Sequence, residues 1–252
     1  MPDRRVVASR PGALDSSRVL AKRTDTRAYE VTQPVSARER VRAAAVARIP
    51  RWYNGWAHLA FPSLVGIGLI AGSVALLDRP SPAAWLTIPI VFVLVNFYEW
   101  FVHRQVLHRR LWPFEELFWR HTPEHHVIFV RDDMTMRSLD EVRLVLIPFY
   151  GIVGIFVAAL PITIALWRWV SPNVSLLWVA TSMGYVVAYE WLHLAYHMPA
   201  DSLIGRSRLL GRLRRHHATH HTPELMQRWN FNVTVPIADW TLGTIHPETY
   251  AR

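Results

Sequence analysis

The chain has 252 residues, 51% of them hydrophobic, and a formal charge of +9 carried by arginine, with Lys22 the only lysine. It contains no cysteine. That excludes disulfides, thiolate-held zinc, iron–sulfur clusters and thiolate-ligated haem, so any metal must be held by nitrogen or oxygen.

Residues 1–34 are polar and lack the apolar run of a cleaved secretory signal. Ser36-Ala37-Arg38-Glu39 has the form of a capping box opening a helix. Its continuation mixes arginines with Val41, Val46, Ile49 and Trp52, as an interfacial helix would; a solvated helix is the alternative. Four apolar stretches follow, at 57–77, 83–98 (running on to Val102), 144–167 and 169–189. Each approaches the roughly 20 residues that cross a bilayer as a helix. A short Asp-Arg-Pro-Ser-Pro turn joins the first two, and a turn around Arg168 and Ser171-Pro172-Asn173 joins the last two.

Two hairpins leave both termini and the central segment on the same side. Of the 28 basic residues, all but Arg79 and Arg168 lie there, and the positive-inside rule makes that face cytoplasmic. The membrane accounts for the charge, and no nucleic-acid partner is needed. The expected architecture is all-α: an integral-membrane bundle of four transmembrane helices in two hairpins, with a cytosolic histidine-rich helical cap. Residues 1–56 form the cytosolic tail and interfacial helix, and residues 57–252 the membrane domain. Arginine in place of lysine points to a GC-rich bacterial genome. The expected location is therefore a bacterial inner membrane, with both termini and the histidines cytoplasmic.

Eleven of the 13 histidines fall in four clusters on that face: His103 and His108; His121, His125 and His126; His193 and His197; and His216, His217, His220 and His221. His58 and His246 stand apart and are read as structural or interfacial. His193 and His197, at i, i+4, share one helical face, as do His217, His220 and His221. His103 and His108, at i, i+5, diverge by roughly 140° on an ideal α-helix. They can share a metal only if the helix unwinds locally; otherwise they serve two neighbouring ions. The chain also repeats itself. Glu-Trp-Phe-Val-His (99–103) and Glu-Trp-Leu-His (190–193) end the second and fourth stretches, and a Thr-Pro-Glu accompanies each later cluster. Five candidate ligands per half suggest two metal ions. Glu99 and Glu190 are read as partners that orient an imidazole, and Glu124 and Glu224 as further candidates for that role. Neutral imidazoles suit iron, zinc or copper alike.

The histidine pattern, H-x4-H at 103–108, H-x3-HH at 121–126, H-x3-H at 193–197 and H-x2-HH at 217–221, resembles the fatty acid hydroxylase / sterol desaturase superfamily of membrane metalloenzymes. The tail NFNVTVPIADWTLGT (230–244) is similar to the segment that follows the last box there, and the likeness covers about residues 57–246. The resemblance implies a non-haem di-iron site held by His103, His108, His121, His125, His126, His193, His197, His217, His220 and His221. His216 competes with His217 for one position, and His217 is preferred. The second box has three residues before its histidine pair, where two are common in the family. The resemblance further implies hydroxylation of a C–H bond in a lipid or other apolar substrate, using O2 and two electrons. With no flavin motif or haem module in the chain, those electrons come from a ferredoxin or cytochrome b5-like donor and its reductase. A desaturase would share every box. A zinc-binding membrane hydrolase or a metal-handling protein is the alternative of another class, and zinc can also stand in for iron.

Overall fold

The computed structural model describes residues 35–199, 201–204 and 206–251, and within them the regular elements are helical, with an isolated bridge between Val130 and Asp133. In chain order these are α1 (Val35–Ala47), α2 (Gly55–Ala75), α3 (Pro82–Leu107), α4 (Glu115–Trp119), α5 (Phe149–Trp169), α6 (Pro172–Tyr196), α7 (Arg208–His220) and α8 (Ile237–Thr241), with shorter turns between them. The polar tail at 1–34 and the side chain of Ser36 lie outside the described residues.

Local chemistry starts the long helices. The Asn54 side chain accepts from the Ala57 amide to open α2, and Ser171 accepts from Val174 with Pro172 in the first turn of α6. Three helices, α2, α3 and α5, are long and apolar enough to cross a membrane. Leu64, Ile67, Ile90, Leu94, Val157 and Ile164 all point outward from them. So continuous an apolar exterior belongs against lipid rather than water.

The fourth expected span is helical but less apolar. The reason is its position: α2, α3 and α5 all pack on α6, which buries Ser175, Ser182, Tyr185, Glu190 and His193 among them. A Cβ on Gly66 would come within 2.5 Å of Val187 Cγ2, so α2 and α6 approach closely there. The hairpin tips meet: the Asp78 amide donates to Asn173 Oδ1 at 3.0 Å, and Asn173 Nδ2 donates to the Asp78 carbonyl at 2.7 Å. Both histidine-bearing ends therefore lie together at the other end.

There a cap closes the bundle. Leu59, Ile128, Phe129, Met134, Leu144 and Leu194 form its core, and α1 adds Ala45, flanked by Val41 and Val46. α1 turns its apolar face onto this cap, while Trp52 beyond it stays exposed. Arg42 fastens the helix. It is buried, pairs with Glu141 at 3.0 Å and donates to the Ile128 carbonyl at 3.2 Å. Removing one member of such a pair leaves the other charge buried and unpaired, at about 3–5 kcal/mol. Arg42→Met should lower the thermal unfolding midpoint in detergent sharply, and adding Glu141→Leu should restore much of it. An Arg42→Met protein as stable as the wild type would refute the fastening role.

Candidate metal centre

The i, i+5 pairs are aligned by a change in helix type. At the end of α3, His103–Leu107 is a π-helical turn, and Arg120–His125 after α4 is a second. A π turn closes i to i+5, so it stacks residues that an α-helix would splay. The His103 and His108 rings lie 5.1 Å apart and only 23° from parallel, and His121 and His126 meet edge to face at 4.7 Å. The other two pairs keep α spacing: His193 in α6 with His197 capping its end, and His217 in α7 with His221 capping its end. The extra residue of the second box is thus taken up by a π turn.

Ten histidines converge in two groups of five: His103, His108, His121, His126 and His220 in one, and His125, His193, His197, His217 and His221 in the other, each with its ligand atoms within 4.8 Å of one another. The groups abut, since the rings of His126 and His221 stack at 4.2 Å. The two halves of the chain also exchange members. His125, from the first half, sits with the second group, and His220, from the second, sits with the first. The run His217, His220, His221, which shares one face in sequence, is divided between them.

Hydrogen bonds fix which nitrogen is bare. Nδ1 of His125, His197, His220 and His221 faces the carbonyls of Leu144, Met134, Trp229 and Phe129 at 2.5–2.8 Å, and His103 Nδ1 faces that of Phe231. A carbonyl only accepts, so each Nδ1 carries the proton and each Nε2 keeps its lone pair. His108 Nδ1 lies 3.1 Å from Thr122 Oγ1, whose own proton goes to the Leu107 carbonyl, so it too is a donor. Nε2 meets Nε2 at 2.9 Å for His103–His121 and His108–His220, 3.1 Å for His126–His121 and 3.0 Å for His221–His217, and in the His108–His220 pair both of these atoms are bare. Nε2 of His125, His193 and His197 is buried with no hydrogen-bond partner.

Protonation cannot relieve this crowding. Burial first, and then the neighbouring rings, hold His108, His121, His126, His217, His220 and His221 well below the usual histidine range, and burial pushes His125 down to about 3. The two lone pairs of His108 and His220, opposed at 2.9 Å, fit a shared cation. Nitrogens bound at about 2.0–2.1 Å and at right angles would stand about 2.9 Å apart.

His216, adjacent in sequence, turns away. Its Nε2 donates to Asp239 at 2.9 Å, and the Tyr250 hydroxyl lies 3.2 Å from its Nδ1. The glutamates also differ from their expected role. Glu99 accepts from the amides of Val233 and Thr234 and from the Thr234 and Tyr185 hydroxyls. Glu190 accepts from the Ile147 amide, Glu124 pairs with Arg48, and Glu224 is exposed. None of the first three orients an imidazole, because backbone carbonyls already do so; Thr122 is the residue of that Thr-Pro-Glu that meets a ring. His58 bridges the Tyr53 hydroxyl and the Ile147 carbonyl, and His246 packs on Trp229. The sequence reading missed Asn96, Asn230, Asn232 and Asp239, all fully buried in the network that carries the tail. Asn230, Asn232 and Asp239 lie in the tail that carried the family likeness but were given no role there, and Asn96 is the one amide side chain inside the second apolar stretch.

Long lipid-facing helices and two buried histidine groups define a membrane protein whose clusters fit a metal site. The sequence model of the fatty acid hydroxylase family matches residues 88–244, more than half of the chain and all ten of these histidines, and the chain belongs to that family. Membership places it with lipid hydroxylase and desaturase-type oxidoreductases. No curated protein and no solved structure matched the chain significantly.

Proposed function

We propose that the protein is a non-haem di-iron oxygenase that hydroxylates a C–H bond of a lipid or other apolar substrate. The observation that carries this reading is the pair of abutting, buried five-histidine groups at one end of an apolar bundle. The ligands are the ten histidines named above, and the bond of His216 to Asp239 supports His217 over His216 in the contested position. Two irons held there supply the redox chemistry that activates O2 toward an unactivated C–H bond. The balance is R–H + O2 + 2 electrons + 2 protons giving R–OH + H2O, with one oxygen atom going to the product.

The chain's own residues would hold the metals through imidazoles fixed in one tautomer, and their burial keeps bulk water away. The carbonyls of Leu144, Met134, Phe129, Trp229 and Phe231 fix the imidazole tautomers. Helices α2, α3 and α5, with α6 as the fourth crossing, bring the substrate from the lipid, and the histidine end faces the cytoplasm of a bacterial inner membrane. The electrons arrive there from a ferredoxin or cytochrome b5-like carrier with its reductase.

The test is product mass after turnover of the iron-loaded protein with a reduced donor, 18O2 and a panel of fatty acyl and sterol lipids. The expected result is a product heavier by one 18O. A product lighter by two hydrogens would make the protein a desaturase. Substrate-independent retention of zinc with no O2 consumption across the panel would favour the hydrolase or metal-handling class.

A further inference from the structure

The two histidine groups are oriented by different parts of the chain. In the group containing His125, three rings donate to carbonyls at Phe129, Met134 and Leu144, all within the cap between α4 and α5. In the group containing His103, the two backbone partners, Trp229 and Phe231, both belong to the segment after α7. Phe231 also packs its ring against those of His103, His108 and His220.

Within that segment, the amides of Phe231 and Asn232 are held by one carboxylate. Asp239, wholly buried, accepts from the amides of Phe231 at 3.0 Å and Asn232 at 2.8 Å, from Thr244 Oγ1 at 2.6 Å and from His216 Nε2 at 2.9 Å. The peptide it grips by the Phe231 amide is followed directly by the carbonyl that receives the His103 proton. Asn230, at a positive φ of 57°, turns the chain so that Trp229 and Phe231 both reach the rings, and its side chain ties this bend to the His216 carbonyl and Thr249. Asparagine tolerates that conformation better than most residues. No residue of the 129–144 segment has a hydrogen bond to Asp239.

We infer that Asp239 is a positioning residue for one metal of the two, acting through Phe231 and Trp229 on His103 and His220, so that the two ions are separately removable. The inference rests on the metal reading of the ten histidines but not on the reaction. Loss of an outer partner of this kind costs about 10–100-fold in metal affinity.

The test is a cobalt(II) titration of the metal-stripped full chain in detergent, followed by the cobalt absorption bands. The wild type should take up two equivalents tightly. Asp239→Asn should keep one and bind the other 10–100-fold more weakly. Adding His221→Ala to that variant should remove the tight equivalent, whereas adding His103→Ala should leave it. Thr244→Val, which withdraws only one bond from the carboxylate, should show the same one-site weakening to a smaller degree and covers the case of an unfolded Asp239→Asn protein. Equal weakening of both equivalents, or of neither, overturns the inference. A wild type that binds fewer than two equivalents overturns the metal reading beneath it.

Discussion

His220→Ala and His221→Ala, although adjacent, should each remove a different iron. His220 faces His108 at 2.9 Å in one group, and His221 faces His217 at 3.0 Å in the other. Each single variant should purify with one iron per chain, and the double variant with none. His103→Ala with His220→Ala, distant in sequence but in one group, should still leave one iron. Turnover should fall by more than about 100-fold in every case, because a lost ligand exceeds the 10–100-fold cost of a lost outer partner. Iron analysis beside product formation checks both statements. If His220→Ala/His221→Ala retained as much iron as either single variant, the crossed grouping would be wrong.

This outcome separates what the sequence declares from what only the fold reveals. Eleven clustered histidines stood out from spacing because imidazole concentrated at helical intervals has few other uses, and the family resemblance reduced them to ten. The hairpins were legible for a similar reason: an apolar run near 20 residues has few alternatives to crossing a bilayer. Partition of the ligands was not legible. An i, i+5 pair does not announce a π turn, and the sequence-based reading of His103 and His108 left local unwinding and two separate ions both open. The His217, His220, His221 run shares a helical face, yet α7 ends at His220 and its neighbour turns to the other group. The glutamates misled because a carboxylate beside a histidine is the familiar orienting partner. Here backbone carbonyls from loops and a short helical turn do that work, and every residue type carries a carbonyl. The fourth stretch shows the same limit in the fold. Its polar residues lower its apolarity, and only the packing of α2, α3 and α5 around α6 explains where they point.

Glu99→Ala should be the most destabilising single change in the bundle, and Glu99→Gln a mild one. The Glu99 carboxylate is the shared acceptor for the Val233 amide at 2.5 Å, the Thr234 amide at 3.1 Å, the Thr234 hydroxyl at 2.6 Å, the Asn232 side chain at 3.3 Å and the Tyr185 hydroxyl. Alanine leaves these donors buried without a partner, at about 1–3 kcal/mol for each group that cannot find another. Water cannot replace the carboxylate inside a lipid-facing bundle. A loss above about 4 kcal/mol is expected, the size that marks a broken buried network. Glutamine keeps one oxygen for the two amides. Its NH2 can donate to the Tyr185 and Thr234 hydroxyls, which rotate to accept, so those two bonds reverse and only the long Asn232 contact, now NH2 against NH2, is lost. The loss should then stay below about half that of alanine. Because the amides held by Glu99 follow Phe231 and Asn232 directly, Glu99→Ala should also free the tail from α3 and release the His103-side iron first. Thermal unfolding in detergent, read with iron content before the transition, measures both effects. Equal stability of the alanine and glutamine variants would show that the carboxylate merely fills space between α3 and the tail.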